Sequence, residues 1–171
     1  VTLRQMAAAE AAGFTRVRLA PAQKLEESWP ETPEGGAALA AWREEAGRGR
    51  RFLLDVNDPP GRTDTADYAR AHGLTTEDLR VRISGQLGRL VRRMLDGGLD
   101  ATLLCTGGDT LLALTRAVGT AELTPVGEMD AGTVLTDFAY GGKTYHIISK
   151  SGGFGEPDLF VRLARSLGAG E

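Results

Sequence analysis

The stretch Ala101-Thr102-Leu103-Leu104-Cys105-Thr106-Gly107-Gly108-Asp109-Thr110-Leu111-Leu112-Ala113-Leu114 decides the fold. Ala101 to Cys105 is a short apolar run with the length and content of a buried strand. Leu111, Leu112, Leu114, Ala117 and Val118 read as a helix that Gly119 closes. Between them stand two glycines, two hydroxyls and a carboxylate. Strand, glycine turn and helix therefore follow one another directly.

Upstream, Thr2 and Gln5 have the spacing of a capping box, and alanine-rich Met6 to Ala12 continues as a helix that stops at Gly13. Phe14, Arg16 and Arg18 alternate with Thr15, Val17 and Leu19, which predicts a strand with one drier face. Ala20 to Pro33 holds three prolines and several acids and reads as a surface connection, with at most a helical turn around Gln23 to Glu27. Gly35 to Gly47 predicts an amphipathic helix, and basic Arg48 to Arg51 leads into a strand at Phe52, Leu53, Leu54 and Val56. Asn57 to Asp67, with Asp58-Pro59-Pro60-Gly61, can neither continue a strand nor start a helix cleanly and reads as a loop. From Thr75, the spacing of Leu79, Ile83, Leu87, Leu90, Val91 and Leu95 predicts the longest helix, ended by Gly97-Gly98.

Beyond Gly119 the texture is β-like, with Val134 to Tyr140 and Thr144 to Ser149 flanking Gly141-Gly142 as a hairpin. Asp158 to Leu167 carries a last helical apolar stripe. Helices alternating with strands predict an α/β fold, a layered domain with a central β-sheet flanked by helices and glycine-rich loops at strand ends.

At 171 residues and 42% hydrophobic content, the chain has the material for one ordinary core and is expected to be a single domain over residues 1–171. Its 20 basic and 23 acidic residues give a net charge of −3 with no long block of either sign, so neither nucleic acid nor a membrane is expected as partner. No apolar run reaches a membrane-spanning length and the first residues lack the zones of a signal peptide. A lone cysteine excludes an intrachain disulfide framework, and a cytoplasmic location is expected. Val1 stands where a natural start carries methionine, which predicts a processed product or a piece of a longer chain.

Thr106 to Thr110 lies where anions bind. Glycines admit a phosphate to the backbone, and unpaired amides at a helix start attract negative charge. Asp109 would sit beside phosphate as a helix cap, as a magnesium ligand through water, or on ribose hydroxyls. The segment Lys150-Ser151-Gly152-Gly153-Phe154-Gly155 repeats the arrangement after another apolar strand and adds a cation. Tight chain reversal with capping explains either loop equally well when each is taken alone, and neither is a Walker or dinucleotide fingerprint. Two such loops at one sheet edge would form the walls of a nucleotide pocket.

His72 and His146 lack metal-ligand neighbours in sequence and read as structural or surface residues. Cys105 reads as a small buried side chain, and Trp29 and Trp42 as packing residues. Arg89, Arg92 and Arg93 read as the wet face of the long helix. No metal ligand and no catalytic base are assigned.

Leu104 to Thr110, Gly127-Glu128-Met129-Asp130-Ala131-Gly132 and Lys150 to Gly155 resemble, in that order, three signatures of the nucleotide-binding half of four-carbon acid sugar kinases. Val1-Thr2-Leu3-Arg4-Gln5 looks like the segment that opens that half. The resemblance covers the whole chain and is most specific from Cys105 to Gly155. It implies an ATP-dependent kinase which, with Mg2+, phosphorylates threonate, erythronate or their oxo forms, the sugar acid being held chiefly by a separate amino-terminal domain. It implies that Thr106, Gly107, Gly108, Asp109 and Thr110 line the nucleotide site, closed by Gly152, Gly153 and Gly155, with Lys150 on a phosphate. For Glu128 it leaves two roles, help to the site through metal or hydrogen bonding and, in preference, a structural turn before Gly132.

The chain alone is then expected to bind nucleotide without turnover, and a homodimer is compatible with the resemblance. Asp55 to Asp67 is more acidic and proline-rich than the family pattern, so no adenine contact is carried over there. Two alternatives stand beside this reading. One is a non-catalytic domain sensing a nucleotide or phosphorylated metabolite, and the other a structural module whose glycine turns bind nothing.

Overall fold

The computed structural model describes residues 1–49 and 51–168. Arg50, within the basic run before the second strand, lies outside the described residues. The chain runs α1 (Thr2–Ala11), β1 (Thr15–Arg18), α2 (Pro21–Leu25), a 3-10 turn (Trp29–Glu31), α3 (Pro33–Gly47), β2 (Phe52–Asp55), α4 (Asp64–Ala71) and α5 (Thr76–Asp96). It continues through β3 (Leu103–Thr106), α6 (Gly108–Val118), β4 (Thr124–Asp130), β5 (Thr133–Tyr140), β6 (Lys143–Lys150) and α7 (Leu159–Gly168).

The architecture is the expected layered α/β fold, with the β layer divided in two. β1 and β2 pair in parallel, and the larger sheet has the order β3-β6-β5-β4. In the larger sheet β3 lies parallel to β6, and β4, β5 and β6 form an antiparallel meander. Both sheets feed the same two apolar clusters. Val17, Phe52 and Leu54 of the small sheet join Cys105, Phe138, Tyr145 and Ile147 of the large one against α3, α5 and α6. Leu53 and Leu104 turn the other way and meet Met6, Ala9 and Phe160 of α1 and α7. Adjacent residues of β2 and β3 are thus apolar on both sides, as strands between two helical layers must be. Full burial of Leu90, Ile147, Ile148 and Leu159 contributes about 1.5–3 kcal/mol for each side chain.

Two caps fix the helices that carry the α3/α5/α6 face. Thr32 accepts the Gly35 amide at 3.0 Å, starting α3. At α5, Thr75 accepts the Asp78 amide at 3.1 Å while Asp78 accepts the Thr75 amide at 2.8 Å. α5 then crosses α6 where Gly88 has no side chain, since a Cβ there would lie 2.6 Å from the Ala113 carbonyl oxygen. That close crossing places α6, and with it the glycine turn at its start.

Four expectations are corrected. The spacing of Thr2 and Gln5 makes no capping box, because Val1 is the N-cap and both side chains instead reach residues 152–156. Ala20 to Pro33 is more than a surface connection, since it holds α2 and the 3-10 turn and buries Lys24, Leu25 and Trp29. The predicted loop Asn57 to Asp67 ends in α4, which starts at Asp64 once the chain has cleared the two prolines. The central sheet is two sheets, and the larger one gains β4 as an exposed edge strand with register shifts near Pro125 and Glu128.

Candidate functional site

β3 and β6 end side by side. Thr106 is the register partner of Lys150, and the Gly107 amide donates to the Lys150 carbonyl at 3.0 Å. The two glycine segments therefore leave the sheet together at one edge, as expected. β4 runs in the same direction as β6, so its end and the turn Asp130-Ala131-Gly132 reach the same edge. Ser151 donates to the Gly132 carbonyl at 3.1 Å, and a Cβ on Gly132 would lie 3.2 Å from the Phe154 ring. All three sequence signatures thus converge on one sheet edge.

Gly107 has φ 91°, a conformation that favours glycine, and it turns the strand into α6 as that helix's N-cap. No side chain caps the helix. Among the described residues, the amides of Gly108, Asp109 and Thr110 have no acceptor within the chain. These are the unpaired donors at the positive end of a helix dipole. Gly108 has nothing within 4 Å of where a Cβ would stand, so its surface is open to a ligand.

Asp109 does not cap. Its carboxylate accepts a hydrogen bond from Arg80 of α5 at 2.7 Å, and Arg80 also pairs with Glu77 at 2.7 Å. Hydrogen bonds to Glu77 and Asp109 hold the Arg80 guanidinium above its ordinary pKa, so it stays charged. A groove of about 600 Å³ lies along α5 and α6, lined by Arg80, Ser84, Arg89, Leu112 and Arg116 among others, and Asp109 is the residue of the glycine turn that borders it. Arg80 is a cation at this site that the sequence did not single out, because only the α5–α6 crossing brings it there.

Lys150, the cation of the second glycine segment, turns inward onto its own loop. It is 2% exposed, and its Nζ donates to the carbonyls of Ser151 at 2.8 Å and Gly152 at 3.2 Å. Burial pushes its ammonium below the ordinary lysine value. Gln5, fully buried, enters the same loop from α1 with its Nε2 on the carbonyls of Phe154, Gly155 and Glu156. In the sequence Gln5 stood out by its capping-box spacing with Thr2 and by the resemblance of Val1 to Gln5 to a family segment, and neither announced its contact with this loop.

The remaining candidates sit elsewhere or do structural work. Glu128 is exposed on β4, while Asp130 forms an ion pair with Arg162 of α7 at 2.6 Å. His72 stacks on Tyr68 and His146 bonds Asp137 at 2.6 Å. Burial pushes the Cys105 thiol up to about 12, as expected of a packing residue. Trp29 and Trp42 stack with centroids 5.8 Å apart in the core. Among the described residues no group of three or more His, Cys, Asp or Glu side chains can hold a metal ion. Mg2+ bound mainly by phosphates and water needs only one or two carboxylates, and Asp109 is the carboxylate within the glycine turn.

The nucleotide-binding C-terminal domain family matches residues 1–160. No curated protein matches the chain. A Bordetella bronchiseptica protein containing a domain of unknown function (DUF1537), solved with bound citrate as a domain-swapped dimer, shares the fold at 22% identity and a TM-score of 0.67, over 96% of this chain and 35% of its own. A DUF1537 protein of Haemophilus influenzae aligns at 16% identity and a TM-score of 0.70, over 97% of this chain and 37% of its own. A Salmonella typhimurium LT2 protein with the provisional name tRNA synthase aligns at 16% identity and a TM-score of 0.71, over 96% of this chain and 38% of its own. This chain therefore spans little more than a third of the solved proteins it resembles. No helix among the described residues is long and apolar enough to cross a membrane. With three glycine-bearing signatures on one sheet edge and a family match over nearly its whole length, the chain belongs to the nucleotide-binding C-terminal domain family, that of the carboxy-terminal half of four-carbon acid sugar kinases.

Proposed function

We propose that this chain is the ATP-binding module of a kinase that phosphorylates four-carbon sugar acids. The observation that carries the reading is the pairing of Thr106 with Lys150, which sets two glycine segments with unpaired amides against each other. The polyphosphate lies between them, on the amides of Gly108, Asp109 and Thr110 and on the loop of Gly152, Gly153 and Gly155. Thr106 lines the base of the cleft and Gly107 turns the chain beneath it. Asp109 would help hold Mg2+ carried by the phosphates, where the ion would neutralise their charge, and Arg80, 2.7 Å from Asp109, stands beside the same turn as a further cation. Phosphoryl transfer depends on positioning and charge stabilisation. This chain supplies both for the donor, and an amino-terminal domain binds the sugar acid and supplies the acceptor hydroxyl.

Calorimetric titration of the chain with ATP, with and without Mg2+, tests the reading, using inorganic phosphate and threonate as controls. Binding of ATP with a dissociation constant of about 1 µM to 1 mM and none of threonate is the expected result. A folded chain that ignores ATP would overturn the proposal.

A further inference from the structure

We infer that Gln5 is the positioning residue that turns the carbonyls of Phe154 and Gly155 inward and so presents the amides of Gly155 and Glu156 to a polyphosphate, an inference that rests on the nucleotide-binding reading above. In a planar trans peptide the N–H and C=O point in opposite directions. A carbonyl tied on one side therefore turns the amide of the next residue to the other. Gln5 Nε2 lies 3.1 Å from the Phe154 carbonyl, 3.0 Å from that of Gly155 and 3.0 Å from that of Glu156. Lys150 holds the carbonyls of Ser151 and Gly152, and the Thr2 hydroxyl donates to Gly152 at 3.2 Å. Five of the six carbonyls from Ser151 to Glu156 are thereby bound by side chains, Lys150 and Thr2 orienting the amides of Gly152 and Gly153 and Gln5 those of Gly155 and Glu156, while the Glu156 carbonyl precedes Pro157, which has no N–H. Among the described residues, the amides of Gly152, Gly153, Gly155 and Glu156 have no acceptor within the chain.

Two further facts show that the arrangement is built around the carboxamide. A Cβ on Gly155 would stand 3.0 Å from Gln5 Nε2 and 2.4 Å from Leu159 Cδ2, so only glycine lets Gln5 approach. Gln5 Oε1 is buried without a hydrogen-bond partner. Rotating the amide would aim that oxygen at three carbonyl oxygens, so the donor must face the loop. The carboxamide thus keeps an orphaned acceptor in order to hold the carbonyls, a cost that serving α1 alone does not require. A binding cradle results from a helix distant in sequence, with α1 acting on phosphates it never touches.

The test compares ATP with adenosine in the wild-type chain and in Gln5→Met, which keeps the shape and removes the donor. Expected are a fall in ATP affinity of about tenfold or more, adenosine affinity within about twofold, and a retained cooperative melt. A purely structural role would weaken both ligands by one factor, and that result overturns the inference, as does ATP binding by Gln5→Met equal to wild type. Absence of ATP binding in the wild type overturns the underlying functional reading as well, so the two failures are distinct. Should Gln5→Met not fold, amide hydrogen exchange of the wild type decides. Slowing of Gly155 and Glu156 by ATP and not by adenosine supports the inference, and unchanged exchange at both rejects it.

Discussion

Thr106 and Lys150 are register partners across the parallel β3–β6 pair, and the Lys150 carbonyl accepts the amide of Gly107, the residue that turns the chain into α6. One backbone hydrogen bond of 3.0 Å thus locks two glycine loops that are more than forty residues apart in sequence.

Gly108 and Gly107 separate binding from folding. Nothing lies within 4 Å of a Cβ on Gly108, and its backbone is ordinary, so Gly108→Ala is expected to keep or raise stability by up to about 1 kcal/mol. Its methyl group would meet an approaching phosphate, so ATP affinity falls. Gly107→Ala forces φ 91° on a residue with a Cβ and costs about 1 kcal/mol or more. Thermal melts beside ATP titrations read both variants. Undiminished ATP affinity in Gly108→Ala would place the phosphates elsewhere.

The crossing of α5 over α6 depends on Gly88. A methyl there would stand 2.6 Å from the Ala113 carbonyl oxygen, which is backbone and yields only if a helix moves. Gly88→Ala is expected to destabilise the chain by about 1–3 kcal/mol. Because Arg80 and Asp109 face each other across the same crossing, ATP affinity should drop with it. A denaturant melt within error of wild type would show that the helices can separate freely.

Stability should fall in acid. At Asp55 burial raises the carboxyl pKa, but hydrogen bonds from the Asn57 amide and side chain and from Arg16 outweigh it and leave it below 3.8. At Asp58 burial is likewise outweighed by bonds from Lys24 and Thr65. Their folded pKa values are depressed, so the unfolded chain binds more protons as pH falls below 3.8, and both contributions are lost through the folded values. Asp55→Asn should flatten the dependence of melting temperature on pH in that range. An unchanged slope would locate the acid-sensitive groups elsewhere.

Cys105 should be inert in the native state. Its thiol is buried and pushed up to about 12, so almost no thiolate exists at neutral pH. Iodoacetamide is expected to label the chain only after unfolding. Labelling in native buffer at the rate of a free thiol would contradict the packing described for β3.

Legibility from sequence followed the range of each interaction. The long helix α5, the β5–β6 hairpin at Gly141-Gly142 and the β3–α6 turn were readable because spacing and turn residues act over a few positions. α4 was missed because the prolines at 59 and 60 dominate their surroundings, although a helix can start at Asp64. Lys24 looked like a surface residue of a polar connection, yet it is fully buried with its ammonium on Asp58 at 2.8 Å and on the Val56 carbonyl at 2.7 Å. Its partners lie more than thirty residues away, and no local pattern announces them.

The same division holds for the candidate site. The sequence by itself determined where glycines interrupt the chain, that apolar strands precede them and that helices follow, since these depend on local backbone freedom and hydrophobic period. Only the tertiary structure decided that the loops adjoin, that Lys150 turns inward, that Arg80 meets Asp109 and that Gln5 grips three carbonyls. Strand order and the direction of a polar side chain are settled by the burial of distant residues. A buried donor must find whichever acceptors that packing brings within reach.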